Sequence, residues 1–408
     1  MFRSRRFIIG LVISLVFLAW ALSQEDLGKV FATIGGMNWV SLVPALALYF
    51  LGVGVRAVRW RILLRPLLPN LSLFKTFEVV VIGYMANNLL PARIGELVRA
   101  YVLNKREGVR KTSTLATIVV ERIFDALVMV GFVAAALLFV IFFHSELLST
   151  GEGHKFGTFI TDWSPYIALF AVGFLAFLVL FVVIASSQRR VEVLINFGLR
   201  FVPGKLHDRV KRLANAFVLG LGSLRSIINM LLVFALSIVA WLLEAGMYYV
   251  IGSWGFNLVG SDGTLVPFYA YVLTTGIVNL STLIPQAAGY WGVFEAICKV
   301  VLVGAIGVDS GLTTSYVLLL HAALYFPVTL LGVVFLARES LSWRELTDLE
   351  KQRAEASDAA HELEGPVTDV ELAQEGKLPD HGADRPQPNA PAEGDDQQQG
   401  LANLDKER

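Results

Sequence analysis

Apolar runs of membrane-spanning length recur along the chain, and charged residues collect between them. The runs at 7–22, 39–55, 115–143, 165–185, 227–251 and 313–337 each predict a helix that crosses a bilayer, for which about 20 mostly apolar residues suffice. Two further apolar stretches break in the middle. The first, at 77–101, reads FEVVVIGYMANNLLPARIGELVRAY. The second lies within 266–306 and carries NLSTLIPQAAGYWGVFEAI at 279–297. Each has Asn, then an apolar pair and Pro91 or Pro285, then Gly95 or Gly289, then Glu96 or Glu295. Pro and Gly interrupt helices, and the limbs on either side are too short to span alone. Irregular backbone persists at membrane depth only where protein or a water-filled cavity satisfies it. Both stretches therefore predict re-entrant hairpins of two half-helices.

The polar flanks orient these elements. Arg3, Arg5 and Arg6 precede the first run. Arg56, Arg59, Arg61 and Arg65 follow the second, and Lys105, Arg106, Arg110 and Lys111 follow the first broken stretch. Basic flanks mark the cytoplasmic side. On this rule 186–226 is a basic cytoplasmic loop, while 23–38, 144–164 and 252–264 are outside loops. The first hairpin enters from the cytoplasm and the second from outside. Residues 39–143 then run span inward, hairpin, span outward, and 227–337 repeat that order in the opposite direction. Such an inverted repeat places a substrate site near the midplane between broken helices. Ala19, Trp20 and Ala21 resemble a signal-peptidase site, but an uncleaved anchor is expected because no large exported domain follows. Both termini are expected in the cytoplasm of a multi-pass protein of the cell (inner) membrane.

Composition supports this class. Of 408 residues, 55% are hydrophobic and 17% charged, and the mean hydropathy is +0.62. The fold expected is an all-α polytopic membrane protein with about six full spans and two hairpins. The zero net charge hides an asymmetry. Residues 345–408 carry 17 acidic and 6 basic residues and read as an acidic, disordered cytoplasmic tail. Residues 1–344, the membrane body, keep 28 basic and 17 acidic residues, an excess that favours an anionic leaflet and anionic substrates. The single cysteine, Cys298, excludes an internal disulfide.

Charges at membrane depth cost several kcal/mol unless paired or hydrated, so they single out candidates. These are Arg93, Glu96, Arg99, Glu121, Arg122, Asp125, Glu244 and Glu295. Asn87, Asn88 and Asn279 can satisfy backbone at the breaks, and Gly95, Gly289 and Gly292 permit close approach. Two accounts of the charges stay open. In one they neutralise each other, with Arg93 or Arg99 on Glu121 and Arg122 on Glu96. In the other, Arg side chains read an anionic headgroup, whose oxygens suit guanidinium forks, and carboxylates hold them in place. Glu295 is a candidate for binding a proton or cation. No Ser-His-Asp order, metal-ligand spacing or Gly-rich phosphate loop is visible, and the basic loop is too small to bury a catalytic domain. No enzymatic activity, metal, cofactor or nucleic-acid partner is expected.

The stretch NNLLPARIGELVRAYVL followed by TLATIVVERIFDAL resembles the first signature of the lysylphosphatidylglycerol synthase transmembrane region, or flippase-like domain. IPQAAGYWGVFEAI with a Pro-containing last span is similar to its second signature. The resemblance covers about residues 5–340. In that family a membrane region fused to a soluble aminoacyl-transferase domain is taken to move aminoacylated phosphatidylglycerol between leaflets. Stand-alone members are regarded as translocases of lipids or lipid-linked sugars. The resemblance implicates Asn88, Pro91, Arg93, Gly95, Glu96, Arg99, Glu121, Arg122 and Asp125, then Pro285, Gly289, Gly292 and Glu295. Relatives often carry Arg in the last span, where this chain has His321. The acidic tail does not read as a synthase domain. The reading expected is a translocase of a phospholipid or lipid-linked glycan, compatible with a homo-oligomer. The alternatives are an intramembrane enzyme acting on a polyprenyl-phosphate lipid and a non-transporting scaffold.

Overall fold

The structure, a computed structural model, describes residues 5–23, 25–90, 94–143, 226–281 and 288–338, with isolated positions between 169 and 197. Pro91, Arg93 and Pro285, most of the run at 165–185 and of the loop at 186–226, and the tail beyond 338 lie outside the described residues. So does the expected boundary between membrane body and tail.

Regular structure in the described residues is helical: α1 (Arg5–Leu22), α2 (Leu27–Gly36), α3 (Leu42–Leu64), α4 (Leu73–Leu89), α5 (Gly95–Glu107), α6 (Lys111–Phe143), α7 (Ile227–Val250), α8 (Phe268–Ser281), α9 (Val293–Leu302) and α10 (Ser310–Arg338). Among the described residues four stretches are long and apolar enough to cross a membrane: Trp39–Leu64, Lys111–Phe139, Ile227–Gly255 and Ser310–Arg338. Their outer faces carry large exposed apolar side chains, such as Val43, Leu51, Leu231, Leu330 and Val334. In water such faces would be a liability, whereas lipid tails solvate them. The chain is an all-α polytopic membrane protein.

Both broken stretches fold as pairs of short helices packed on each other, α4 against α5 and α8 against α9. A 17-residue α4 and a 13-residue α5 fall short of a full crossing. The two units also mirror each other in packing. Helices α3 and α7 form the central contact, α4 packs on α10, and α8 packs on α6. Exchanging α3, α4, α5 and α6 for α7, α8, α9 and α10 carries each of these contacts into another that is present.

Two of the differences from the sequence reading go beyond a few residues at an element's end. The loop expected at 23–38 contains α2, because the Asp26 carboxylate accepts from the N–H groups of Gly28 (2.9 Å) and Lys29 (3.3 Å) and caps a helix there. The span expected at 39–55 continues to Leu64, so Arg56 and Arg59 lie inside α3 and are buried, not on a cytoplasmic flank.

Helix α1 is fastened to the second hairpin. Lys299 donates to the Ala21 carbonyl (2.9 Å) and to Glu25 (2.7 Å), and Glu25 also accepts from Ser310 (2.5 Å). Gly292 has φ of 91°, and a Cβ there would lie 2.0 Å from the Ser14 carbonyl oxygen; only glycine meets both demands. Burial pushes the Glu25 carboxyl up, but hydrogen bonds from Lys299 and Ser310 outweigh it and hold it below the usual carboxylate range. A lowered folded value stabilises the fold above the unfolded carboxylate range, and that contribution is lost as pH falls through the lowered value. Acidification through this window should lower the thermal midpoint of the wild type more than that of Glu25→Gln. Equal slopes for the two proteins would remove the link.

Candidate functional site

The polar interior is built from α3 outward. Arg59 has no exposed surface. Its Nη1 donates to Asp125 Oδ1 (2.6 Å) and to Ser237 Oγ (2.7 Å), and its Nη2 lies 3.1 Å from Glu121 Oε1. Glu121 and Asp125 meet it together because four residues is about one turn of α6. Arg99, from the returning limb of the first hairpin, grips Glu121 with both Nη atoms (3.2 and 2.8 Å), and its guanidinium lies 4.0 Å over the Trp60 ring. Arg56 bonds Glu244 at 2.7 Å and lies 4.4 Å over the Trp241 ring. Trp241 in turn donates to Asp125 (2.9 Å). Five helices, α3, α5, α6, α7 and α8, contribute to one network, the last through Asn279, 3.4 Å from Glu244.

Arg122 sits at the edge of this network. Its Nη2 contacts Glu121 (2.9 Å) and Asp125 (3.2 Å), yet its side chain keeps 35% exposure while its partners are buried. In these contacts four guanidinium groups meet three carboxylates. The Nε–H groups of Arg59, Arg99 and Arg122 find no acceptor among the described residues, and a fourth carboxylate, Glu96, lines the cavity with Arg122. A cavity of about 690 Å³ opens beside Arg122, and Asn88, Glu96, Asn279, His321 and Tyr325 also line it.

Described residues flanking both helix breaks line the same cavity. At the first, the Asn87 side chain accepts from the Gly95 N–H at 2.7 Å, one of the donors left over at a helix start. Gly95 has no room for a side chain, since a Cβ would fall 2.1 Å from the Gly83 carbonyl oxygen. Asn88 donates to Thr329 on α10 (2.9 Å), and Tyr325 donates back to the Asn88 carbonyl (3.2 Å). At the second, the Gly292 N–H donates to Glu295 Oε2 (2.6 Å). His321 bridges Glu295 Oε1 (2.6 Å) and the Gly289 carbonyl (2.8 Å).

The expected site residues thus divide. Asn88, Glu96, Arg122, Asp125 and Gly289 line the cavity. Arg99 and Glu121 are brought to the same network but are buried in a pair with each other, as the neutralisation account has it. The other pair in that account changes: Arg122 contacts Glu121 and Asp125, because it shares α6 with both. Glu295 is buried and reaches the cavity through His321. Arg56 and Arg59 were missed as site residues. A span of 39–55 falls short of a full crossing, and completing it takes both arginines into the helix at i and i+3.

A buried ion pair is costly to break and cheaper to replace whole. Arg56→Met leaves Glu244 uncompensated and should cost about 3–5 kcal/mol of unfolding free energy. The double variant Arg56→Met/Glu244→Leu should recover most of that in a denaturation series. Additive losses would show that the two side chains act separately.

Comparison with known proteins places this geometry in a family. The lysylphosphatidylglycerol synthase TM region matches residues 7–332. Over 131 residues the chain is 28% identical to glycosyltransferase AglD of Haloferax volcanii, covering 32% of this chain and 21% of that protein. Over 144 residues it is 31% identical to a UPF0104 membrane protein of Pyrococcus horikoshii, covering 35% of this chain and 42% of the relative. A UPF0104 membrane protein of Methanothermobacter thermautotrophicus is 23% identical over 293 residues, 69% of this chain and 81% of that one. The chain spans less than half the length of the first two relatives. A match over most of its length establishes that the chain belongs to the lysylphosphatidylglycerol synthase TM region family.

Proposed function

We propose that the protein is a translocase that carries an amphiphile with an anionic headgroup, a phospholipid or a lipid-linked glycan, across the cytoplasmic membrane. Family membership and the relatives point to a membrane-lipid-related function. The observation that carries the finer reading is Arg122, the open end of an ion-pair network, facing a cavity between two broken helices. A phosphate oxygen there meets a guanidinium already oriented by Glu121 and Asp125. Asn88 and Asn279 offer amides to a polar headgroup, while acyl or prenyl chains stay in lipid beside the apolar helix faces. The exchange of packing partners between the two units supports an inverted repeat, and rocking one unit against the other turns the cavity from one leaflet to the other. Both termini face the cytoplasm in this arrangement.

A second reading, an intramembrane enzyme acting on a polyprenyl-phosphate lipid, draws on the name of the haloarchaeal relative. Formation of a new lipid product by the pure protein would favour it.

Reconstitution in vesicles with fluorescent phospholipids and lipid-linked sugars tests the translocase. Losing a charged hydrogen bond worth about 1.5–3 kcal/mol slows a step that depends on it at least about tenfold. Arg122→Ala should therefore slow movement of the cognate lipid by about that factor, with Arg122→Lys retaining part of the rate. If no anionic lipid moves faster than in Arg122→Ala vesicles, the reading fails.

A further inference from the structure

The break of the second hairpin holds a hydrogen-bond arrangement that needs one proton more than a neutral histidine and an ionised glutamate supply. His321 is buried between aromatic faces. Trp291 stacks on it with centroids 4.2 Å apart, and Phe294 lies 4.5 Å away on a tilted plane. Its Nε2 is 2.8 Å from the Gly289 carbonyl oxygen, and its Nδ1 is 2.6 Å from Glu295 Oε1. A carbonyl only accepts, so Nε2 carries a hydrogen. A carboxylate also only accepts, so a second hydrogen sits on Nδ1 or on Oε1. Either placement gives the pair the same extra proton. The other Glu295 oxygen accepts the Gly292 N–H, so the pair holds both ends of the turn from Gly289 to Gly292.

We propose that Glu295 and His321 form a proton-binding site whose occupancy holds the second hairpin in its present shape and couples proton movement to lipid movement. The lipid half of this rests on the translocase reading, and the proton half does not. Without the extra proton, one ring hydrogen must serve two acceptors. Left on Nε2, it sets the Nδ1 lone pair against a Glu295 oxygen. Moved to Nδ1, it sets the Nε2 lone pair against the Gly289 carbonyl. Either repulsion is relieved when the turn or the head of α9 moves away from α10. The proton enters from the cavity that His321 lines and leaves to the opposite side once the turn has moved; no heavy-atom bond or electron count changes.

Other titratable groups surround the pair. Cys298 lies one turn along α9, Tyr248 of α7 packs edge-on to Phe294, and Tyr325 stands one turn along α10. These ordinarily titrate above imidazole and carboxylates. Lys299 is turned to Glu25 and Ala21. Ser14 of α1 meets Gly292, and Tyr84 of α4 lines the cavity. The charged groups lining the cavity with His321 are Arg56, Glu96, Arg122, Asp125 and Glu244.

Full-length protein in phospholipid nanodiscs tests the site. The emission of Trp291, isolated by subtracting a Trp291→Phe protein, is followed across the carboxylate and imidazole ranges, because a stacked imidazolium quenches indole. Wild type should show a transition, His321→Gln should lose it, and Glu295→Gln should displace it. A flat wild-type curve, or an unchanged transition in Glu295→Gln, overturns the proton site without reference to transport. In vesicles with an imposed proton gradient, wild-type movement of fluorescent phospholipid or lipid-linked sugar should accelerate, and Glu295→Gln should lose that response. A Glu295→Gln protein that responds like wild type overturns the coupling. If no lipid moves in any protein, the translocase reading falls, and the titration still decides whether the proton site exists.

Discussion

Four guanidinium groups lie inside a body whose outer faces are apolar, and each persists there because a carboxylate reaches it. That requirement fixes how the helices meet. Arg59 ties α3 to α6 and α7, Arg99 brings in the returning limb of the first hairpin, and Arg56 adds a second tie between α3 and α7. Helices in lipid gain little from apolar burial against one another, since acyl chains solvate them as well. Polar ties and close packing carry the specificity instead. Arg122 belongs to the same network, so the surface a ligand would meet is oriented by the contacts that organise the bundle.

The two helix breaks solve one problem with different chemistry. Each leaves backbone donors and acceptors without helical partners. Among the described residues the first is closed by amides and hydroxyls: Asn87 on the Gly95 N–H, Asn88 on Thr329, Tyr325 on the Asn88 carbonyl. Those groups keep their form at any physiological pH. The second is closed by a carboxylate and an imidazole, whose donors and acceptors change with protonation. Units alike in packing are therefore unlike in what can disturb them.

The architecture was legible because its signals are local. Apolar run length marked α6, α7 and α10, and Pro and Gly inside apolar stretches marked both hairpins. The family resemblance rested on contiguous motifs, and the match over residues 7–332 bears it out. Glu121 and Asp125 could be placed on one face from spacing alone. What stayed hidden depends on contacts far apart in the chain. Arg56 and Arg59 look like a cytoplasmic flank until Glu244 and Asp125, 188 and 66 residues away, are seen to receive them. His321 stood out only as a departure from relatives; its link to Gly289 and Glu295 needs the hairpin folded against α10. Helix α2 was missed because its amphipathic run is short and its cap is a single Asp26.

The fastening of α1 to the second hairpin bears on how the chain is matured. The Ala19–Trp20–Ala21 stretch looks like a peptidase site, yet the Ala21 carbonyl accepts a hydrogen bond from the buried Lys299 ammonium and Glu25 neutralises its charge. Cutting there would release the helix that covers Gly292 and loosen the anchor of a buried cation. In this fold the first helix supports the second hairpin, and cutting the chain at Ala21 would remove that support.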